Sequence, residues 1–159
     1  MDRRHSCLVA GALLALACTP SPPVETACDG IADRELGITS AEYAPCAAEL
    51  LATLDSLESH LQRIVVRGDS TADSGARAAY ERLRLLMQRV GFQADIRRET
   101  VGPGQRIERW PDAAMRQFNT EVGTAAAQYM SALNYPNDGN LQEGSRRHEL
   151  ARQAYSRFR

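Results

Sequence analysis

Two histidines and one group of arginines are the side chains best equipped for chemistry in this 159-residue chain. His60 follows an apolar helical stripe and His148 lies in a second one near the C-terminus. If those helices run antiparallel, the end of one lies beside the start of the other. Two neutral imidazoles could then share a metal or a haem iron, as side chains on facing helices do in bundles. Against this, there is no Glu-x-x-His pair and no Cys-x-x-Cys-His run, and His60 sits beside the Leu57–Leu61 seam rather than on it. The alternative is a pair of boundary histidines, so no metal or cofactor is assigned. Arg97, Arg98, Arg106 and Arg109 surround Gly102-Pro103-Gly104 and could clamp an anionic ligand or a carboxylate-rich partner. Asp95, Glu99 and Glu108 stand close enough to make the same arginines a solvated, self-paired loop. Trp110 and the methionines are read as packing residues.

The four cysteines divide by position. The chain opens MDRRHS, with Arg3 and Arg4, and continues CLVAGALLALA without a charge. A basic start, a short apolar run and a small-residue end form a secretory signal pattern, too short for a membrane span of about 20 residues. Leu14-Ala15-Leu16-Ala17-Cys18 resembles the lipobox of bacterial lipoproteins, with Ala15 where a larger apolar residue is commoner. The resemblance implies a diacylglyceryl group on Cys18, which becomes the first mature residue, and a fatty-acyl (palmitate-type) membrane anchor. Thr19, in place of Asp, leans toward the outer membrane in a diderm host. The other reading is plain cleavage after Ala15-Leu16-Ala17, leaving Cys18 unmodified. Pro20, Pro22 and Pro23 then favour an extended spacer. With Cys7 removed and Cys18 acylated, Cys28 and Cys46 remain as an even pair in an oxidising compartment. That points to a disulfide, with two free thiols as the alternative.

Ile64-Val65-Val66-Arg67-Gly68-Asp69-Ser70 resembles the nucleophile block of GDSL-type esterases, in which Gly-Asp-Ser follows an apolar strand. The resemblance implies Ser70 as nucleophile. Yet Tyr135 precedes Pro136-Asn137-Asp138 where that family has Gly, and Ser145 stands three before His148 where it has Asp. Arg67-Gly68-Asp69 is also the integrin-recognition tripeptide, and a turn between helices explains the same three residues.

Helical periodicity must position all of these. Thr39-Ser40-Ala41-Glu42 has the form of a capping box. Ala47, Leu50, Leu54, Leu57, Leu61 and Ile64 then recur every three or four residues, giving a helix over about 40–66. Ala79, Leu83, Leu86 and Val90 mark a second over about 76–90, closed by Gly91. Residues 92–109 read as a small hairpin or an ordered loop. Pro111 marks the start of a third helix, with Met115, Phe118, Val122, Ala125 and Tyr129 on one face. Tyr135–Gly139 reads as a turn, and Asn140 with Glu143 as the cap of a fourth helix carrying His148, Ala151, Tyr155 and Phe158. The expectation is all-α, an irregular up-and-down bundle of about four helices. Residues 1–17 form the signal, 18–38 the lipidated cysteine and tether, and 39–159 one domain of ordinary size.

Charge is uneven. Residues 25–73 hold ten acids and three Arg, and residues 74–159 hold nine acids and fourteen Arg. Opposite halves of one fold attract each other, and a formal net charge of −1 excludes a general nucleic-acid binder. The sequence points to a lipid-anchored helical module of the cell envelope, facing out of the cytoplasm. It would bind an unknown envelope protein or ligand, with no catalytic residue assigned.

Overall fold

The computed structural model describes residues 26–32, 34, 37–91, 99–100, 106–107 and 110–159. Cys18, Arg97, Arg98 and Arg109 lie outside these residues. Arg106 is described only through its backbone.

Among the described residues the fold is all-α apart from one two-residue ladder. Its elements are α1 (Asp29–Ala32), α2 (Ser40–Arg67), a 3-10 turn (Ser70–Ala72), α3 (Asp73–Val90), β1 (Glu99–Thr100), β2 (Arg106–Ile107), α4 (Ala113–Asn134) and α5 (Asp138–Tyr155). β1 and β2 pair antiparallel, Glu99 opposite Ile107 and Thr100 opposite Arg106. No helix among the described residues is long and apolar enough to cross a membrane.

Local chemistry sets the ends. Thr39 caps α2 through its hydroxyl on the Glu42 N–H, and Glu42 accepts from the Thr39 N–H, so two otherwise orphaned donors are satisfied. Gly68, at φ 66°, closes α2 in the left-handed conformation that costs glycine least. Gly91 closes α3 in the same way.

Several boundaries differ from the sequence reading; α4 begins at Ala113 behind an Asp112 cap rather than at Pro111. α3 begins at Asp73, three residues before the expected start, because the 3-10 turn feeds directly into it. Asn137, not Asn140, caps α5: its side chain accepts the Asn140 N–H, and Asp138-Gly139 already belong to the helix. The short α1 precedes the expected domain start at 39, and Cys28, Ile31 and Ile38 are buried in the common core. The folded body therefore begins well inside the expected tether.

Contacts fix how the long helices lie. Along α2, Asp55 and Glu58 meet Arg152 and Ser145 of α5 in reverse order, and Tyr43 meets Phe158 just beyond the end of α5, so these two helices are antiparallel. Glu49 meets Arg82 and His60 meets Gly75, so α3 also runs against α2. Leu50, Leu54, Leu57, Leu61, Leu83, Leu86, Val122 and Ala125 fill the middle. Tyr43, Trp110, Phe118, Tyr155 and Phe158 close one end as an aromatic group with centroids 4.6–6.2 Å apart. The Cys28 and Cys46 sulfurs are bonded at that same end, tying the entry segment to α2.

Candidate functional site

Successive turns of α5 place Ser145, His148 and Arg152 on one stripe facing α2. The ring of His148 is fully buried. Its Nδ1 lies 2.9 Å from Glu58 Oε2 and 3.4 Å from the Tyr129 hydroxyl. Ser145 donates its hydroxyl to the other Glu58 oxygen at 2.6 Å. His148 Nε2 lies 3.3 Å from Asp55 Oδ1, within ion-pair range but off the line of a hydrogen bond. Asp55 is engaged by Arg152 instead.

The electrostatics follow from these contacts. The hydrogen bond from His148 foremost, against burial, and then that from Ser145 hold the Glu58 carboxyl well below its usual range, at about 2. Burial first, then the Glu58 charge, push the Tyr129 phenol far above its usual range. The cluster joins α2, α4 and α5 through one half-buried carboxylate. Its imidazole is sealed from solvent, so no substrate reaches either ring nitrogen. The hydrogen bonds that Glu58 accepts from Ser145 and His148 tie α2 to α5.

The two histidines are not brought together. His60 lies two residues after Glu58, about 200° around α2 at 3.6 residues per turn, so it faces α3 while Glu58 faces α5. The His60 ring occupies the space a side chain on Gly75 would need: a Cβ there would stand 2.5 Å from His60 Cε1. Among the described residues, no group of three His, Cys, Asp or Glu is placed to hold a metal ion.

Nor does the esterase constellation assemble. Ile64–Arg67 is the last turn of α2, not a strand, and Ser70 is an exposed residue opening the 3-10 turn. Asn137 is spent as a helix cap, and His148 is enclosed by Glu58 and Tyr129. The Arg-Gly-Asp tripeptide is the C-terminal cap of α2. Asp69 is held by Arg63 at 2.6 Å and by Thr71, which lowers its carboxyl to about 2, the Thr71 hydroxyl contributing most.

Beside the cluster lie the last turns of α2 and the first turns of α5. They leave an open groove of about 560 Å³ lined by Gln62, Val66, Arg67, Asp138, Leu141, Gln142 and Ser145. Ser145 belongs to both, so the groove rests on the Glu58–His148 pair. Sequence reasoning singled out His148 but missed Asp55, Glu58, Tyr129 and Ser145. One signal was present: Gly144 inside a helical pattern marks a close approach, and Tyr129 fills it.

Comparison of the chain with protein-family models, with curated proteins and with solved structures returns no match.

Proposed function

We propose that this chain is an exported lipoprotein: a helical module, an irregular up-and-down bundle, tethered through Cys18 to a membrane of the cell envelope and facing out of the cytoplasm. Its role is to bind an envelope partner or ligand rather than to catalyse a reaction. The observation that carries the reading is Leu14-Ala15-Leu16-Ala17-Cys18, at the end of an uncharged run and followed by Pro20, Pro22 and Pro23. Acylation of one cysteine with several chains holds a protein at a bilayer, at about 0.8 kcal/mol per buried methylene. The Cys28–Cys46 bond is of the kind an oxidising compartment preserves. The binding role is supported by how the reactive-looking groups are used: His148 and Glu58 fasten helices to one another, Asp69 caps a turn, and Ser70 opens that turn in solvent.

Intact-mass spectrometry of protein extracted from its native membrane tests the anchor. The expected mass begins at Cys18 and carries diacylglyceryl and further acyl chains. A chain beginning at Cys18 without any acyl group, or one still carrying Met1, removes the proposal.

A further inference from the structure

We infer that the groove between the end of α2 and the start of α5 binds a short peptide stretch in which an acidic and a basic group flank an apolar side chain. This rests on the reading of the chain as a tethered binding module and gives that module its surface.

Three observations converge. The first is charge placement. Arg67 and Asp138 both line the groove, both are exposed, and neither forms an ion pair among the described residues. Other charges nearby are paired with one another, among them Arg63–Asp69 and Arg147–Glu143. A cation on one wall and an anion on the other, left open, complement a ligand that carries both signs.

The second is the surface between them. Val66 is 67% exposed and Leu141 forms the apolar part of the opposite wall, while Gln142 offers its amide to a backbone and Gln62 and Ser145 donate to Glu58 beneath. An apolar patch flanked by hydrogen-bonding side chains and opposite charges suits a peptide better than an acyl chain or a polyanion. The volume of about 560 Å³ holds a few residues.

The third is position. Thr26 and Ala27, where the described chain begins, are held at the opposite end of the molecule. Arg89 donates to the Thr26 hydroxyl, and the Ala27 N–H donates to Glu49. Ala27 is fastened at Glu49, and the groove residues Gln62, Val66 and Arg67 lie about 13–18 residues further along α2, about 20–27 Å away at 1.5 Å per residue. A tether leaving from the entry end presents the groove away from the membrane, where an envelope protein can reach it.

The test uses the full chain extracted in detergent from its membrane. The probe is a fluorescent capped peptide, Glu-Leu-Lys, compared with Gln-Leu-Gln. Anisotropy is expected to show Glu-Leu-Lys binding and Gln-Leu-Gln binding more weakly. Arg67→Gln and Asp138→Asn should each weaken Glu-Leu-Lys about fivefold, as exposed charges do, with helical content and melting temperature unchanged. Equal binding of the two peptides, no binding at millimolar concentration, or variants that bind as the wild type does would each overturn the inference. So would concentration-dependent dimerisation that Arg67→Gln abolishes, because the occupant would then be a second copy. The mass spectrum of the same preparation reads the anchor separately: peptide binding by unacylated protein refutes the lipoprotein reading and leaves the groove standing.

Discussion

At the scale of single residues, the buried cluster depends on a glycine and a carboxylate. A Cβ on Gly144 would stand 2.5 Å from Tyr129 Cδ1, and Tyr129 is itself fully buried, so the ring has nowhere to retreat. Overpacking of this kind costs about 1–3 kcal/mol, against about 1 kcal/mol that alanine returns in helix propensity. Gly144→Ala is therefore expected to lower the denaturant midpoint. Gly139→Ala, whose added Cβ meets only Asn137 Oδ1 at 3.5 Å, is expected to leave it unchanged or raise it. Glu58 gives a pH signature. Its carboxyl is lower in the folded chain than its ordinary 4.5, so its contribution to stability is complete above that value and is lost as pH falls toward about 2. Glu58→Gln should cost stability at pH 7, and the gap to wild type should close between pH 4.5 and 2.5 in urea unfolding. A gap that stays constant over that range would show that the ionised form contributes nothing. His148 was legible as a polar residue on an apolar stripe. Its partner was not, because Glu58 follows core Leu57 and looks from sequence like any solvated acid of α2.

At the scale of elements, the helix ends were readable wherever a side chain competes directly for the backbone. Thr39 and Glu42 form the reciprocal cap that their spacing implies, and Gly91 ends α3 as expected. The readings failed where turn-forming residues had been drawn into helices. Asp73-Ser74-Gly75 resembles a loop, yet Gly75 is the one residue type that admits the His60 ring. Asp138-Gly139 resembles a turn, yet Asn137 captures the Asn140 N–H and starts α5 early. Composition could not show these, because each depends on a neighbour from another helix or on which of two asparagines wins the cap. The α2 cap is open to measurement. Thr39→Ala removes the hydroxyl from the Glu42 N–H and should cost about 1 kcal/mol, while Thr39→Ser should cost little. Thermal melts of both variants followed by helical circular dichroism decide it, and an equal loss in the two would assign the effect to the threonine methyl instead.

At the scale of the whole molecule, the acidic first half and the basic second half are stitched together. Arg89 reaches Asp29, Arg82 reaches Glu49 and Arg152 reaches Asp55, each pair crossing from the later segment to the earlier one. Such pairs are individually weak at a surface, so the packed core must carry the fold. What the pairs do not equalise is the two ends. The entry end holds the disulfide, the aromatic group and two of the three ion pairs, whereas the groove end is held by Glu58, Ser145 and His148. Opening the bridge should therefore act unevenly. Replacing both cysteines, as Cys28→Ser with Cys46→Ser, releases a loop of about 18 residues and should lower global stability by about 3 kcal/mol. If the bridge also holds α1 and the start of α2 in place, amide exchange under native conditions should rise over residues 40–50 and 86–90. Residues 58–66 and 141–148 should change only by the global amount. A uniform rise along all the helices would mean the bond acts through the unfolded chain alone, and that the two ends of the molecule are not separately stabilised.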